Sequence, residues 1–167
     1  RGVVIACDTR LSSDELSKFT AEVCAANGVK VYLFDGFRAT PELSFAVRHL
    51  NAAVGVVITA SHNPPTDNGF KAYWDDGAQV VPPHDKGIIE EAARGGEIAT
   101  TNFEEAVASG AIVMIGDEVD AAYVETAANE AEGTHRDLAI VYSPLHGTGQ
   151  TNVIPVLKRA RSEEHTS

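Results

Sequence analysis

Val3-Val4-Ile5-Ala6-Cys7-Asp8-Thr9-Arg10 opens the chain with a continuous apolar run that stops abruptly at an acid, a hydroxyl and a base. Apolar residues without alternation are what a strand buried on both faces requires. Outward from it, a helical pattern runs from about Asp14 to Ala26, with Leu16, Phe19, Val23 and Ala26 near one face. Ser12 followed three residues later by Glu15 predicts a capping box at its start, and Asn27-Gly28 predicts its stop. Val29 to Phe34 reads as a second strand. Thr40-Pro41 reads as an N-cap followed by proline at the first helical position, opening a helix to about Leu50. Val54 to Thr59 is a third apolar run. This β-α-β-α-β order with short connections predicts a doubly wound sheet with right-handed crossovers. In such sheets sites form beyond the carboxyl ends of the strands, which singles out the loops after Cys7 and after Thr59.

The rest of the chain extends the pattern. Phe70 to Trp74 reads as a short strand, Asp75-Asp76-Gly77 as a turn, Gln79 to Val81 as extended, and about Asp85 to Ala93 as a helix. A short helix and an extended run Ile112 to Ile115 follow, then a helix over Asp117 to Asn129. Glu132-Gly133-Thr134 is a break. After it a strand over Leu138 to Tyr142, a loop Ser143 to Gly149 and a helix to about Ala160 read as the opening of a second α/β domain. The expected boundary lies between about Ala128 and Arg136, giving a first domain over 1–130 and the beginning of another over 131–160. The last seven residues, R-S-E-E-H-T-S at 161–167, coincide with the translation of a common short-read sequencing adapter and are expected not to belong to the protein.

Composition limits the function classes. Across 167 residues, 13 Lys and Arg stand against 24 Asp and Glu, a formal net charge of −11. Such a chain is a poor general binder of nucleic acid or of an anionic membrane, which need clustered cations. Cys7 and Cys24 sit in apolar patterns and read as buried thiols of a reducing compartment. No apolar run reaches the ~18 residues of a membrane span. The chain enters its first strand without a leader or an initiator Met, so its true N-terminus is expected upstream.

The loop after Thr59 is the richest in chemistry: Thr59-Ala60-Ser61-His62-Asn63-Pro64-Pro65-Thr66-Asp67-Asn68-Gly69-Phe70-Lys71. Ser61 offers a hydroxyl, while His62 and Lys71 offer proton transfer or phosphate pairing. Asn63, Asn68 and Gly69 favour tight turns with free backbone N–H groups. Pro64-Pro65 stiffens the segment, as a group held in fixed position requires. Two readings stand on composition: a rigid turn whose polar residues satisfy backbone groups, or a nucleophilic serine.

The run T-A-S-H-N-P-P-x-x-N-G-F-K closely resembles the phosphoserine loop of the α-D-phosphohexomutases, the phosphoglucomutase and phosphomannomutase superfamily. Asp8-Thr9-Arg10 resembles the family's D-x-R segment, Thr40-Pro41 its T-P before the second helix, and Leu145-His146-Gly147-Thr148-Gly149 the L-H-G-T-G loop that opens its second domain. The resemblance covers essentially Gly2 to Ala160. Tyr73 to Gln79 and Pro83 to Ile88 look most like the phosphoglucomutase and phosphopentomutase branch.

The resemblance implies an α/β fold with a mixed, mostly parallel sheet and flanking helices, plus the start of a second similar domain. It implies a cytoplasmic enzyme acting on sugar phosphates, with no nucleic-acid or membrane partner. Ser61 would carry a phosphoryl group, pass it to a sugar monophosphate, and recover the other phosphate from a sugar 1,6-bisphosphate intermediate, which also serves as activator. Glucose 1-phosphate and glucose 6-phosphate would thereby interconvert. Mg²⁺ would neutralise the transferring charge with the Ser61 phosphate as one ligand. Lys71 would act as general acid/base and His62 as donor or proton shuttle. Arg10 would pair the phosphate or brace the loop, Asn63 would shape the loop or touch phosphate, and His146 would hold the Gly-rich turn or line the site. His49, His84 and His135 show no metal-ligand spacing, and Trp74 and the tyrosines read as packing.

The family's metal run D-G-D-x-D-R does not occur in the sequence, nor does the G-T-x-G-x-R-G segment expected before Arg1. The chain alone is therefore expected to be inactive. Phosphomannomutase and phosphopentomutase activity remain alternatives, as does a non-catalytic phosphosugar-binding module. A serine hydrolase using Ser61 and His62 lacks the G-x-S-x-G elbow.

Overall fold

The computed structural model describes residues 1–132 and 139–162. Five strands form one sheet: β1 (Val3–Cys7), β2 (Val31–Phe34), β3 (Val54–Ile58), β4 (Phe70–Trp74) and β5 (Ile112–Ile115), in the spatial order β4-β3-β1-β2-β5. All neighbours pair in parallel except β3 and β4, which run antiparallel with Ile58 opposite Phe70. The helices are α1 (Ser13–Ala26), α2 (Thr40–His49), α3 (His84–Ala93), α4 (Phe103–Ala108), α5 (Asp117–Ala128) and α6 (Val153–Ser162). The expected mixed, mostly parallel α/β sheet is thus present.

Both faces of the sheet are covered, and β1 shows why its sequence does not alternate. Val3, Ile5 and Cys7 pack with Ala21 of α1 and Ala106 of α4 on one side. Val4 and Ala6 pack with Leu43, Ala46 and Val47 of α2 and Val119 of α5 on the other. Successive strand residues point to opposite faces, so a strand between two helical layers must be apolar throughout.

Several local expectations are corrected. On α1 the buried residues are Ser13, Ser17 and Ala21, with Cys24 and Ala25 packed behind them, whereas Leu16 and Phe19 face outward. The strands already fill that face with large side chains, so the helix offers small ones and approaches closely. Ser12 makes no side-chain cap; its hydroxyl accepts instead from Asn68 Nδ2 at 3.1 Å. The N-cap of α2 is Ala39, with Thr40 and Pro41 already inside the first turn. β2 begins at Val31, because Val29 N–H donates to Cys24 O and closes the end of α1. Trp74 is half-exposed on the edge strand, its ring edge-on to His84, while Tyr73 is the buried neighbour. His49 stacks on Phe45; His135 lies outside the described residues.

Of the strand expected at Leu138 to Tyr142, the first residue lies outside the described ones, and 139–142 pair with no strand among the described residues. Helix α6 does form and lies against α5. The Arg159 guanidinium pairs with Glu125, and Asn152 Nδ2 donates to Glu42 at 3.1 Å.

Candidate active site

β1 and β3 are neighbours whose following connections leave in opposite directions, to α1 on one face and to β4 on the other edge. Their carboxyl ends therefore open a crevice at the switch point of the sheet, where ligands bind in open α/β folds. A cavity of about 710 Å³ lies there, lined by Asp8, Thr9, Arg38, Thr59, Ser61 and His62 among others. His146, Gly147 and Thr148 close its far side, and Thr9 Oγ1 ties this segment to the crevice by donating to His146 O at 2.7 Å. The L-H-G-T-G loop is thus tied to the D-x-R loop and shares the cavity with the serine loop.

Ser61 stands exposed at the cavity with φ of 58°, a left-handed conformation that non-glycine residues rarely adopt. Its Oγ lies 3.0 Å from His62 Nδ1. The loop that holds it is built on Asp8, whose carboxylate accepts from Arg10 N and Nε, from Ser13 Oγ at 2.7 Å and from Thr59 Oγ1 at 2.6 Å. Ser61 N donates in turn to Thr59 Oγ1 at 3.0 Å. At the loop's far end, Asn68 Nδ2 donates to the hydroxyls of Ser12 and Ser13. Gly69 closes the loop where Thr59 N donates to its carbonyl at 2.9 Å. A Cβ on Gly69 would stand 2.8 Å from Thr59 O, so only glycine fits the close approach.

Arg10 lies under the loop, its side chain 7% exposed. Nη1 donates to the carbonyls of Asn63, Pro64 and Asp67 and Nη2 to that of Ser61, while Nε holds Asp8. All of these bonds run to loop carbonyls or to Asp8. Asn63 lies on the cavity wall, with its carbonyl bonded to Arg10 and its N–H to Ala60 O. Lys71 sits on β4 opposite Val57 but is not among the residues that line the cavity. Among the described residues no partner bonds its ammonium.

Behind the cavity lies a buried charge cluster that the sequence reading missed. Arg38 reaches Asp120 through Nε and Nη2, both at 2.7 Å, and Asp35 through Nη2 at 2.9 Å. Glu42, fully buried on α2, accepts from Asn152 and lies 4.0 Å from Arg38 Nε. Burial, followed by the neighbouring Asp120 carboxylate, pushes the Glu42 carboxyl up to about 7. Burial also raises the Cys7 thiol, as expected for an inert core cysteine.

Among the described residues no three His, Cys, Asp or Glu side chains gather where they could hold a metal ion. Asp8 has its oxygens engaged by Arg10, Ser13 and Thr59. The described residues do not by themselves make a Mg²⁺ site.

Fold and loop together define an α/β domain that presents a serine at a sheet switch point. Residues 1–99 match the family model "Phosphoglucomutase/phosphomannomutase, alpha/beta/alpha domain I". The chain belongs to the phosphoglucomutase/phosphomannomutase family. It is 38% identical over 161 residues to "Probable phosphomannomutase" of Haemophilus influenzae, covering 95% of this chain and 33% of that protein. Human glucose 1,6-bisphosphate synthase is 49% identical and human phosphopentomutase 46% identical, each over 96 residues, 54% of this chain and 15% and 16% of theirs. The crystal structure of a Thermus thermophilus protein assigned as a phosphomannomutase superposes with a TM-score of 0.67 at 31% identity, covering 78% of this chain and 27% of that one. A phosphoglucomutase/phosphomannomutase family structure from Burkholderia thailandensis gives 0.59 at 29% identity, covering 80% and 28%. The chain spans about a third of the length of the Haemophilus relative.

Asp8 and Thr59 stand within the motifs that carried the resemblance, yet their roles as anchors of Ser61 were not read. A D-x-R triplet directly after a buried strand is the signal that points to them.

Proposed function

We propose that this chain is the phosphoserine domain of a phosphosugar mutase that interconverts glucose 1-phosphate and glucose 6-phosphate. The observation that carries the reading is Ser61, held in a left-handed conformation at the mouth of the switch-point cavity with His62 Nδ1 3.0 Å from its hydroxyl. In the forward half-reaction the P–O bond to Ser61 breaks and a P–O bond to the sugar hydroxyl forms. The hydroxyl proton passes to Lys71, and His62, 3.0 Å from Ser61 Oγ, returns a proton to the departing serine oxygen. The bisphosphate then reorients and returns its other phosphate to Ser61. Asn63 shapes the rim of the loop, and Arg10 serves the site through the carbonyls it holds. Mg²⁺ belongs to the reading as a charge neutraliser bound by the Ser61 phosphate, with its other ligands expected from a metal run outside this sequence. The domain reading places 1–130 in one unit, 131–160 at the opening of the next, and 161–167 outside the protein; a cytoplasmic location goes with it.

The test is phosphoryl incorporation from glucose 1,6-bisphosphate, read by intact mass and peptide mapping on the full-length protein, followed by mutase turnover on glucose, mannose and pentose phosphates. One phosphate on Ser61 and turnover fastest on glucose 1-phosphate are expected. Ser61→Ala should abolish both with the fold intact. Label on another residue, or none, refutes the carrier role. A faster pentose or mannose phosphate replaces the sugar and keeps the mechanism. Labelling of Ser61 by a fluorophosphonate probe would favour the hydrolase reading, and a phosphoserine without turnover the binding module.

A further inference from the structure

Ser61 has two peptide groups, and the structure holds each through a different member of one ion pair. Its N–H donates to Thr59 Oγ1 at 3.0 Å, and that hydroxyl donates onward to Asp8 Oδ2 at 2.6 Å. Its carbonyl accepts from Arg10 Nη2. Asp8 and Arg10 are themselves joined through Nε at 3.1 Å, with side chains 20% and 7% exposed. Thr59 has one hydroxyl proton. Because it goes to Asp8, the oxygen's lone pairs face the Ser61 amide, so the carboxylate sets the direction of the relay. Reversal would set the Thr59 proton against the Ser61 N–H, donor to donor.

We propose that Asp8, Thr59 and Arg10 are positioning residues that clamp the Ser61 peptide on both sides and so fix the direction in which its oxygen carries the phosphoryl group. The inference rests on Ser61 being the phosphoryl carrier. Phosphoryl transfer depends on alignment of the attacking and leaving oxygens more than on covalent help from the protein. The left-handed conformation of Ser61 is intrinsically disfavoured and must be over-determined by its surroundings. A clamp made of a largely buried ion pair supplies that, and it leaves the Ser61 Oγ free to face His62 and the cavity. The clamp acts through the backbone, so none of its three residues needs to touch substrate.

The test compares Thr59→Val, which removes the relay hydroxyl, with Thr59→Ser, which restores it on a smaller side chain. In Thr59→Val the Ser61 amide should exchange with solvent about tenfold faster by NMR. On the full-length protein kcat should fall about 100-fold, the cost of a misplaced reacting group, while KM stays within about twofold. Thr59→Ser should recover most of the lost kcat and the amide protection. A Thr59→Val protein with parental kcat and parental Ser61 exchange overturns the proposal. So does a folded Thr59→Ser protein as impaired as Thr59→Val, since a packing role for the methyl would give that result. Should Thr59→Val fail to fold, Asp8→Ala gives the same readouts, because it removes the acceptor of the Thr59 proton. If the parent neither carries phosphate nor turns over, the carrier reading falls, while amide exchange in the variants still scores the clamp.

Discussion

Glu42→Gln should flatten the pH dependence of stability, and the structure supplies the size. Glu42 has no exposed surface, a state that glutamate rarely adopts without a partner. Around it stand Arg38 from the segment before α2, Asp120 and Tyr123 from α5, and Asn152 from the turn before α6. Arg38 gives Nε and Nη2 to Asp120, leaving Glu42 at 4.0 Å. Glu42 Oε1 receives no hydrogen bond among the described residues. Three carboxylates, those of Asp35, Asp120 and Glu42, thus share one guanidinium, and a proton on Glu42 relieves both the burial and the like charge. The carboxyl is pushed from its ordinary 4.5 up to about 7. Because the folded state binds the proton more tightly than the unfolded chain, this contribution to stability is complete below pH 4.5. It is lost as pH rises through about 7. At about 1.4 kcal/mol per tenfold change in proton affinity, the loss is on the order of 3 kcal/mol. Glutamine keeps the shape, cannot ionise, and can donate to Asp120. Urea unfolding of parent and variant from pH 4 to pH 8 should therefore show the variant gaining on the parent by about 3 kcal/mol, mostly between pH 4.5 and 7. Parallel curves for the two proteins would refute the reasoning, as would a Glu42 carboxyl titrating near 4.5 by NMR.

Two further outcomes follow from the site. Gly69→Ala puts a methyl 2.8 Å from Thr59 O, so the loop must shift; we expect a loss of about 1–3 kcal/mol in urea unfolding and a faster-exchanging Ser61 amide. Lys71→Met should leave stability within about 0.5 kcal/mol, because no described partner is lost, yet lower turnover of the full-length protein by about 10²–10⁴-fold with Ser61 still phosphorylated. Parental turnover in Lys71→Met would remove lysine from the proton-transfer role.

Much of this was legible in the chain itself. Val3 to Cys7, Val31 to Phe34 and Val54 to Ile58 announce buried strands because a sheet covered on both faces admits no polar position. The helix after Val3 to Cys7 was placed correctly but turned the wrong way. Ser13, Ser17 and Ala21 carry its buried face, and hydrophobicity ranks Leu16 and Phe19 above them. Size complementarity to a filled sheet decides that orientation, and it is a property of the neighbour rather than of the helix. Glu42 shows the same limit, since an acid in the first turn of a helix reads as a solvated partner of the helix dipole. Only the arrival of α5 and the Asn152 turn over it makes it a buried carboxyl.

The residues of the serine loop and the parallel pairing of β1 with β2 and β3 were thus determined by sequence alone, because apolar continuity, turn residues and a D-x-R triplet are local properties. Tertiary structure alone decided that Arg10 lies beneath the loop, that Asp8 reaches Ser61 through Thr59, and that Glu42 is buried beside Arg38 and Asn152. Those outcomes depend on which groups the β1–β3 switch point and the helix layers bring within hydrogen-bond reach, across some 50 residues of chain between Arg10 and Ser61.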